Sequence, residues 1–383
     1  MDTPRRKSLY FMPFLSIEEI IECREIRLVQ NTGQHDNLMP DKFKKCGGIF
    51  IELINNFQSG DYYDNAIQIK IYNAIEILKF SYYTINIPTG DGYPGFISES
   101  TFEIFTIIEP NQDKSFEHKM PITNGMSNFL MRLDDYYEHK YILGSRHTLK
   151  ITEHALSYFK YIYNDSINDE NKLSILKLYN KCLRITDTND CFDKIIFARA
   201  SIETLIKIQG QPLTKKNYIE TFFTKLEAFI VNYKNDNLKL ISFYNIHVVK
   251  DDGLNKSKEN LNTYLKLLTD ARHNLVHENK IDINFMTIEV YITWFPLFFL
   301  IIFFEDKLNE KDITRLVLFL RLLQLDFKQW NKKDTKDFSQ MNKMTCLEVY
   351  AQYTRTITTQ LDKNNDEYIM AYLEGFNKCF STE

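Results

Sequence analysis

Apolar residues recur at a helical period through most of the chain from about residue 150 onward. Segments 151–163 and 173–185 each carry them at helical spacing. Segment 190–209 repeats the pattern through Ile195, Ile196, Ala200, Ile202, Leu205 and Ile206 and is closed by Gly210 and Pro212. Segment 218–233 sets Phe222, Leu226, Phe229 and Ile230 on one face. Segments 261–278, 288–308, 313–327 and 345–361 predict four more helices. The first 150 residues are less regular. Ile67, Ile71, Ala74, Ile75 and Leu78 make a helical stripe, although Ile67, Ile69 and Ile71 alone would suit a strand. A helix is expected for 66–80 and for the mixed segment 43–57, with a turn at 58–61 between them. Residues 102–108 read as a short strand and 111–124 as polar and irregular. The loop at 88–95 lacks the Lys-Ser/Thr that a P-loop needs.

The expected fold is mainly α: a C-terminal helical bundle preceded by a mostly helical or α+β N-terminal region. The expected domains are 1–150, 151–310 and a helical extension at 311–383 packed on the bundle. No internal repeat of 20–50 residues is evident.

Composition narrows the function classes. The chain has 383 residues, with 47 Lys+Arg against 51 Asp+Glu. That balance excludes a histone-like binder held by bulk positive charge, though not a local basic groove. With 12 Gly and 9 Pro there is no glycine-rich linker. The six cysteines form no Cys-x-x-Cys and read as small buried residues in a reducing compartment. Arg5, Arg6 and Lys7 imitate a signal n-region, but the apolar stretch after them is short and broken by Pro13. The fifteen uncharged residues 290–304 contain Pro296 and fall short of the ~20 that a bilayer needs. They read as a buried core helix, and the protein as cytoplasmic.

One stretch carries chemistry. In Asp270-Ala271-Arg272-His273-Asn274-Leu275-Val276-His277-Glu278, polar side chains crowd the end of a helix whose earlier turns are more apolar. Arg272 offers a planar charged fork suited to a phosphodiester. His277 can exchange a proton near neutrality. Positions 273 and 277 share a helix face, and Leu275 and Val276 are expected to turn inward. Metal-independent RNA cleavage needs these groups: imidazole to move protons from the 2′-OH and to the 5′-oxygen, guanidinium to stabilise the phosphate as charge builds. Two proton-transfer roles and one well-placed His277 per chain point to a homodimer that brings two copies into one cleft.

The segment Arg272-His-Asn-Leu-Val-His277 resembles the Arg-x4–6-His signature of the HEPN superfamily, where a polar residue commonly follows the Arg. Residues 198–205 (Ala-Arg-Ala-Ser-Ile-Glu-Thr-Leu) resemble the first helix of Apea-like HEPN domains, and a very apolar helix follows the motif. The similarity covers residues ~185–305. It implies a HEPN-like bundle that dimerises, with Arg272 and His277 as the catalytic pair, His273 and Asn274 assisting, and no cofactor or metal. It also implies RNA as substrate, such as a tRNA anticodon loop, and a toxin or anti-phage setting restrained by an antitoxin or triggered by a phage product. Residues 1–150 would then be a sensor or regulatory domain. A HEPN bundle that binds RNA or protein without cutting is the alternative.

Plainer readings stand beside these. Arg272 could pair with Asp270 or Glu278, and His273 with His277 could form a metal pair that lacks a third ligand. Glu203 could face the same cleft or pair on the surface. The basic run 328–336 around Trp330 reads as a solvated helix end, and Phe295–Phe304 as packing or a dimer seam. A second Arg-x6-His match, Arg132 to His139, is set aside because Asp134 and Asp135 follow it on no apolar helix.

Overall fold

The computed structural model describes residues 8–37, 39, 44, 47–54, 65–86, 102, 104–108, 118–119, 148–183, 191–210, 215–232, 242–278, 286–325, 349–350, 352–354, 356 and 366–379. The segments expected at 58–61, 88–95 and 328–336, and the pair Arg132 and His139, lie outside them. The fold is mainly α, with an antiparallel sheet near the N-terminus. Two compact units divide it: residues 1–82 with 95–173, and residues 83–94 with 174–383.

The first unit is built on the sheet. Strands β1 (Ser8–Met12), β3 (Ile21–Glu22), β4 (Ile26–Gln30), β5 (Ile49–Leu53), β6 (Phe105–Ile108) and β7 (His118–Lys119) run in the spatial order β3-β4-β5-β1-β6-β7. A two-residue parallel ladder joins β2 (Leu15–Ser16) to β8 (Leu149–Lys150). In β5 the helix expected over 43–57 gives way to a strand. It is paired at both edges, Tyr10 with Ile51 and Leu28 with Ile51, and its consecutive residues 49–52 are all buried, so its apolar run carries no period of two. Gly48 admits this packing, since a Cβ there would lie 2.4 Å from the Phe11 ring and 2.6 Å from the Met12 carbonyl. The stretch after Arg5–Lys7 likewise holds a core strand, with Phe11 and Met12 fully buried.

Helix α1 (Asn65–Ile85) settles the ambiguity at 66–80. Ile71, Ala74, Ile75 and Leu78 are buried while Ile69 and Tyr72 are exposed, which is the helical stripe and not the alternation of a strand. Helix α2 (Glu153–Ser166) starts at Thr152, whose side chain accepts from the Ala155 N–H. Helix α3 (Glu170–Cys182) leads into the second unit.

The second unit is a helical bundle: α4 (Cys191–Ile208), α5 (Lys215–Asn232), α6 (Gly253–His273), α7 (Met286–Phe304), α8 (Glu310–Leu323) and α9 (Asp366–Cys379). Its centre is aromatic. Tyr179 stacks on Phe295, Trp294 meets Tyr264 edge-on, and Phe222 packs on Phe298. Residues 291–302 of α7 are buried throughout, as expected for a core helix. Among the described residues no helix is long and apolar enough to cross a membrane. Pro296 lacks the N–H that would bond the Ile292 carbonyl four residues earlier. The buried Tyr179 hydroxyl donates to that carbonyl at 3.0 Å and replaces the lost bond. Helix α8 begins with a capping box between Asn309 and Asp312. Asp312 also lies 3.5 Å from the fully buried Arg315, whose guanidinium donates to the Thr84 carbonyl.

Candidate functional site

The conspicuous polar residues sit where α6 ends. Leu261, Tyr264, Leu265 and Leu268 face the core and fix the direction in which the helix leaves it. At His273 the α-helical bonds stop, and Asn274–Glu278 continues as a π turn, a form often found at functional positions. Asn274, half-buried at the junction, donates its backbone N–H to the Ala271 and Asp270 carbonyls.

The turn sorts the motif into one buried anchor and an exposed group. Leu275 is 4% exposed and inserts into the bundle. Val276 is 52% exposed, which corrects the expectation that both would turn inward. Neighbouring positions on a helix differ by about 100°, so one anchor at 275 turns 276 outward. Arg272, His273 and His277 are all exposed. The two imidazoles adjoin, with ring centroids 4.7 Å apart and planes inclined at 45°. This is the shared face that the i, i+4 spacing predicted.

Arg272 makes no ion pair with Asp270 or with any other described residue. The plainer reading of a helix-surface pair with Asp270 therefore does not hold, and the Glu278 side chain lies outside the described residues. Glu203 does follow its plainer reading: it pairs with Arg199 one turn earlier on α4, at 3.1 Å. The same helix buries Ser201, whose hydroxyl lies 2.5 Å from that of Tyr291 and ties α4 to α7. No group of three or more His, Cys, Asp or Glu among the described residues could hold a metal ion.

Buried polar groups elsewhere serve the scaffold. Glu52 on β5, 3% exposed, accepts from the Arg27 guanidinium and lies 2.7 Å from His35 Nε2. Burial works to raise its carboxyl pKa, but the bonds from His35 and Arg27 outweigh it and hold the group below the ordinary carboxylate value. Sequence reading missed this trio because residues 27, 35 and 52 meet only once β4 and β5 pair. Cys23 and Cys182 are free and buried, as expected of small core residues. Burial pushes the Cys23 thiol up to about 11 and the Cys182 thiol higher, so neither is a ready nucleophile.

No protein-family model, no curated protein and no solved structure matches this chain.

Proposed function

We propose that the chain is a metal-independent endoribonuclease of the HEPN type, working as a homodimer through Arg272 and His277 of both protomers. The observation that carries this reading is the exposed pair of adjoining imidazoles on the turn that follows the exposed Arg272. One imidazole takes the proton of a ribose 2′-OH, and the 2′-oxygen attacks the adjacent phosphorus. Guanidinium groups hold the phosphate oxygens as charge builds there. The bond from phosphorus to the 5′-oxygen breaks, a second imidazole protonates the leaving oxygen, and the products are a 2′,3′-cyclic phosphate and a 5′-OH end. His273 and Asn274 assist: the first through its contact with the His277 ring, the second by joining α6 to the π turn. Single-stranded or loop RNA, such as a tRNA anticodon loop, is the substrate, because an unpaired backbone can bend to bring the 2′-oxygen in line with the phosphorus. A cytoplasmic toxin or anti-phage effector is the setting, with an antitoxin or a phage-derived trigger as its control.

The test is incubation of the full chain with total tRNA and a synthetic RNA panel in EDTA, parent beside His277→Ala and Arg272→Ala/His277→Ala. Discrete fragments with cyclic-phosphate ends, weakened by about 10²–10⁴-fold in His277→Ala, are expected. Full cleavage by the double variant would end the reading. RNA bound equally by parent and variant, with turnover by neither, would move it to the non-cutting HEPN module.

A further inference from the structure

The opposite end of helix α6 carries a second, differently built polar cluster. Before the helix, Asn245–Val249 forms another π turn, followed by a tight 3-10 turn at Lys250–Asp252. Asp251 and Asp252 both take left-handed backbone conformations, with φ of 56° and 63°. Two such non-glycine residues in succession are costly and persist only where surrounding structure imposes them. Gly253 comes next, and a Cβ there would lie 2.4 Å from the Val248 carbonyl and 2.5 Å from Gln324 Nε2.

A directional run of hydrogen bonds holds this corner. Gln324 Nε2 donates to the Val248 carbonyl at 2.8 Å, and its Oε1 accepts from Arg321 Nη1 at 2.5 Å. Arg321 Nε donates to Asn377 Oδ1 at 2.7 Å, and Asn377 Nδ2 meets His247 Nδ1 at 3.4 Å. The run starts and ends in the 245–249 turn, crossing the C-terminal end of α8 and then α9. Because the Asn377 oxygen is taken by Arg321, its amide presents N–H to the imidazole. His247 Nδ1 therefore accepts, and the ring proton sits on Nε2, which is left as a donor.

Arg321 is half-buried, and burial works against its charge. Among the described residues its partners are two neutral amide oxygens and no carboxylate. A guanidinium has five N–H donors, of which these two bonds use two. Burial and the nearby charges of Arg321 and Lys250 all disfavour a second positive charge on His247, while Glu374 alone opposes them. A partly buried guanidinium held in place by neutral amides is oriented in advance for an anion.

We propose that Arg321, His247 and Lys250 form a phosphate-binding site, separate from the Arg272/His277 group and independent of the nuclease reading. The fork of Arg321 takes two phosphate oxygens, His247 Nε2–H donates to a third, and Lys250 neutralises the remaining charge. The ligand is an inorganic phosphate or the phosphate monoester of a small molecule.

The experiment is calorimetric titration of the full chain with inorganic phosphate, adenosine 5′-monophosphate and acetate, each at constant ionic strength. Saturable binding of both phosphate probes by about 10 mM is expected, with acetate at least ten-fold weaker. Arg321→Lys, which keeps the charge and loses the fork, should weaken phosphate binding by about ten-fold, and His247→Gln by about three- to ten-fold. Arg272→Ala/His277→Ala should leave it unchanged. If Arg321→Lys does not fold, as judged by circular dichroism, His247→Gln and the exposed Lys250→Gln carry the test. Tighter binding of the nucleotide names an ester as ligand and equal binding names the free anion, and both uphold the site. Absence of saturable binding, acetate binding as tightly as phosphate, folded variants that bind like the parent, or loss of binding in the Arg272/His277 variant would overturn it.

Discussion

Helix α6 has an Arg/His group at each end, and the two are built in opposite ways. At the C-terminal end Arg272, His273 and His277 are exposed, and one buried side chain, Leu275, anchors the turn that carries them. At the N-terminal end His247 and Arg321 are half-buried and tied through Gln324 and Asn377 to three separate elements. Side chains of the first kind are free to meet a large flexible ligand, and the fold does not depend on them. Those of the second kind are fixed in advance, so they suit a small ligand and also hold the bundle together. The contrast is one of wiring, since each end has its π turn.

That wiring also decides what the sequence could reveal. The group at 272–277 is contiguous, so spacing alone places its two imidazoles on one face, and the rings do adjoin. The other group draws on residues 247, 321, 324 and 377, far apart in the chain and brought together only by folding. Even the start of α6 escaped periodicity. Its first turns hold Asn255, Lys256 and Glu259, with no apolar stripe to mark them, and the visible signal begins at Leu261. Strand β5 was hidden for another reason: a strand buried on both faces shows neither the period of two nor that of 3.6. Helix α9 was also missed. The amphipathic helices α4 and α5 were legible because one buried stripe sets their pattern, α7 because a long uncharged run marks it, and α8, buried almost all round, because its apolar residues are dense.

If the ends differ as described, substitutions at the tied end should cost stability. The largest effect is expected for Gly253→Ala. Its Cβ would press on the Val248 carbonyl and on Gln324, and backbone on one side cannot rotate away. A loss of about 2–3 kcal/mol in denaturant unfolding is expected. A loss below about 0.5 kcal/mol would mean that the 248–253 corner yields freely and is not fixed in advance.

Next is Tyr179→Phe, which probes the core that supports the open end. Removing the hydroxyl leaves the buried Ile292 carbonyl, already without its helical partner because of Pro296, with no donor from Tyr179. The expected cost is about 1–3 kcal/mol. Combining it with Pro296→Ala should recover part of that loss, because the alanine N–H can bond the same carbonyl. No recovery would show that the hydroxyl acts by packing alone.

Arg272→Ala/His277→Ala should shift unfolding by less than about 0.5 kcal/mol, since both side chains are exposed and Arg272 has no ion pair among the described residues. A loss above about 1 kcal/mol would place this end among the structural elements and weaken its reading as a reactive group.

The finest probe is acidity. Burial, followed by the charge of Arg321, holds the His247 pKa below its ordinary value in the folded state. The unfolded chain therefore takes up the proton first as pH falls. The associated stability is complete above the unfolded value of about 6.5 and drains away as pH drops toward the folded one. Protonation would also turn Nδ1 from acceptor to donor, against the Asn377 N–H that faces it. The other charged groups around the ring are Arg321, Lys250 and Glu374. His247→Gln should thus flatten the parent's loss of thermal stability between pH 7 and pH 5.5. In that window the Glu52 carboxylate, held below its ordinary value, contributes little slope. An equal slope in parent and variant would mean that the imidazole is not held as an acceptor, and the tied end would then differ from the open one only in its burial.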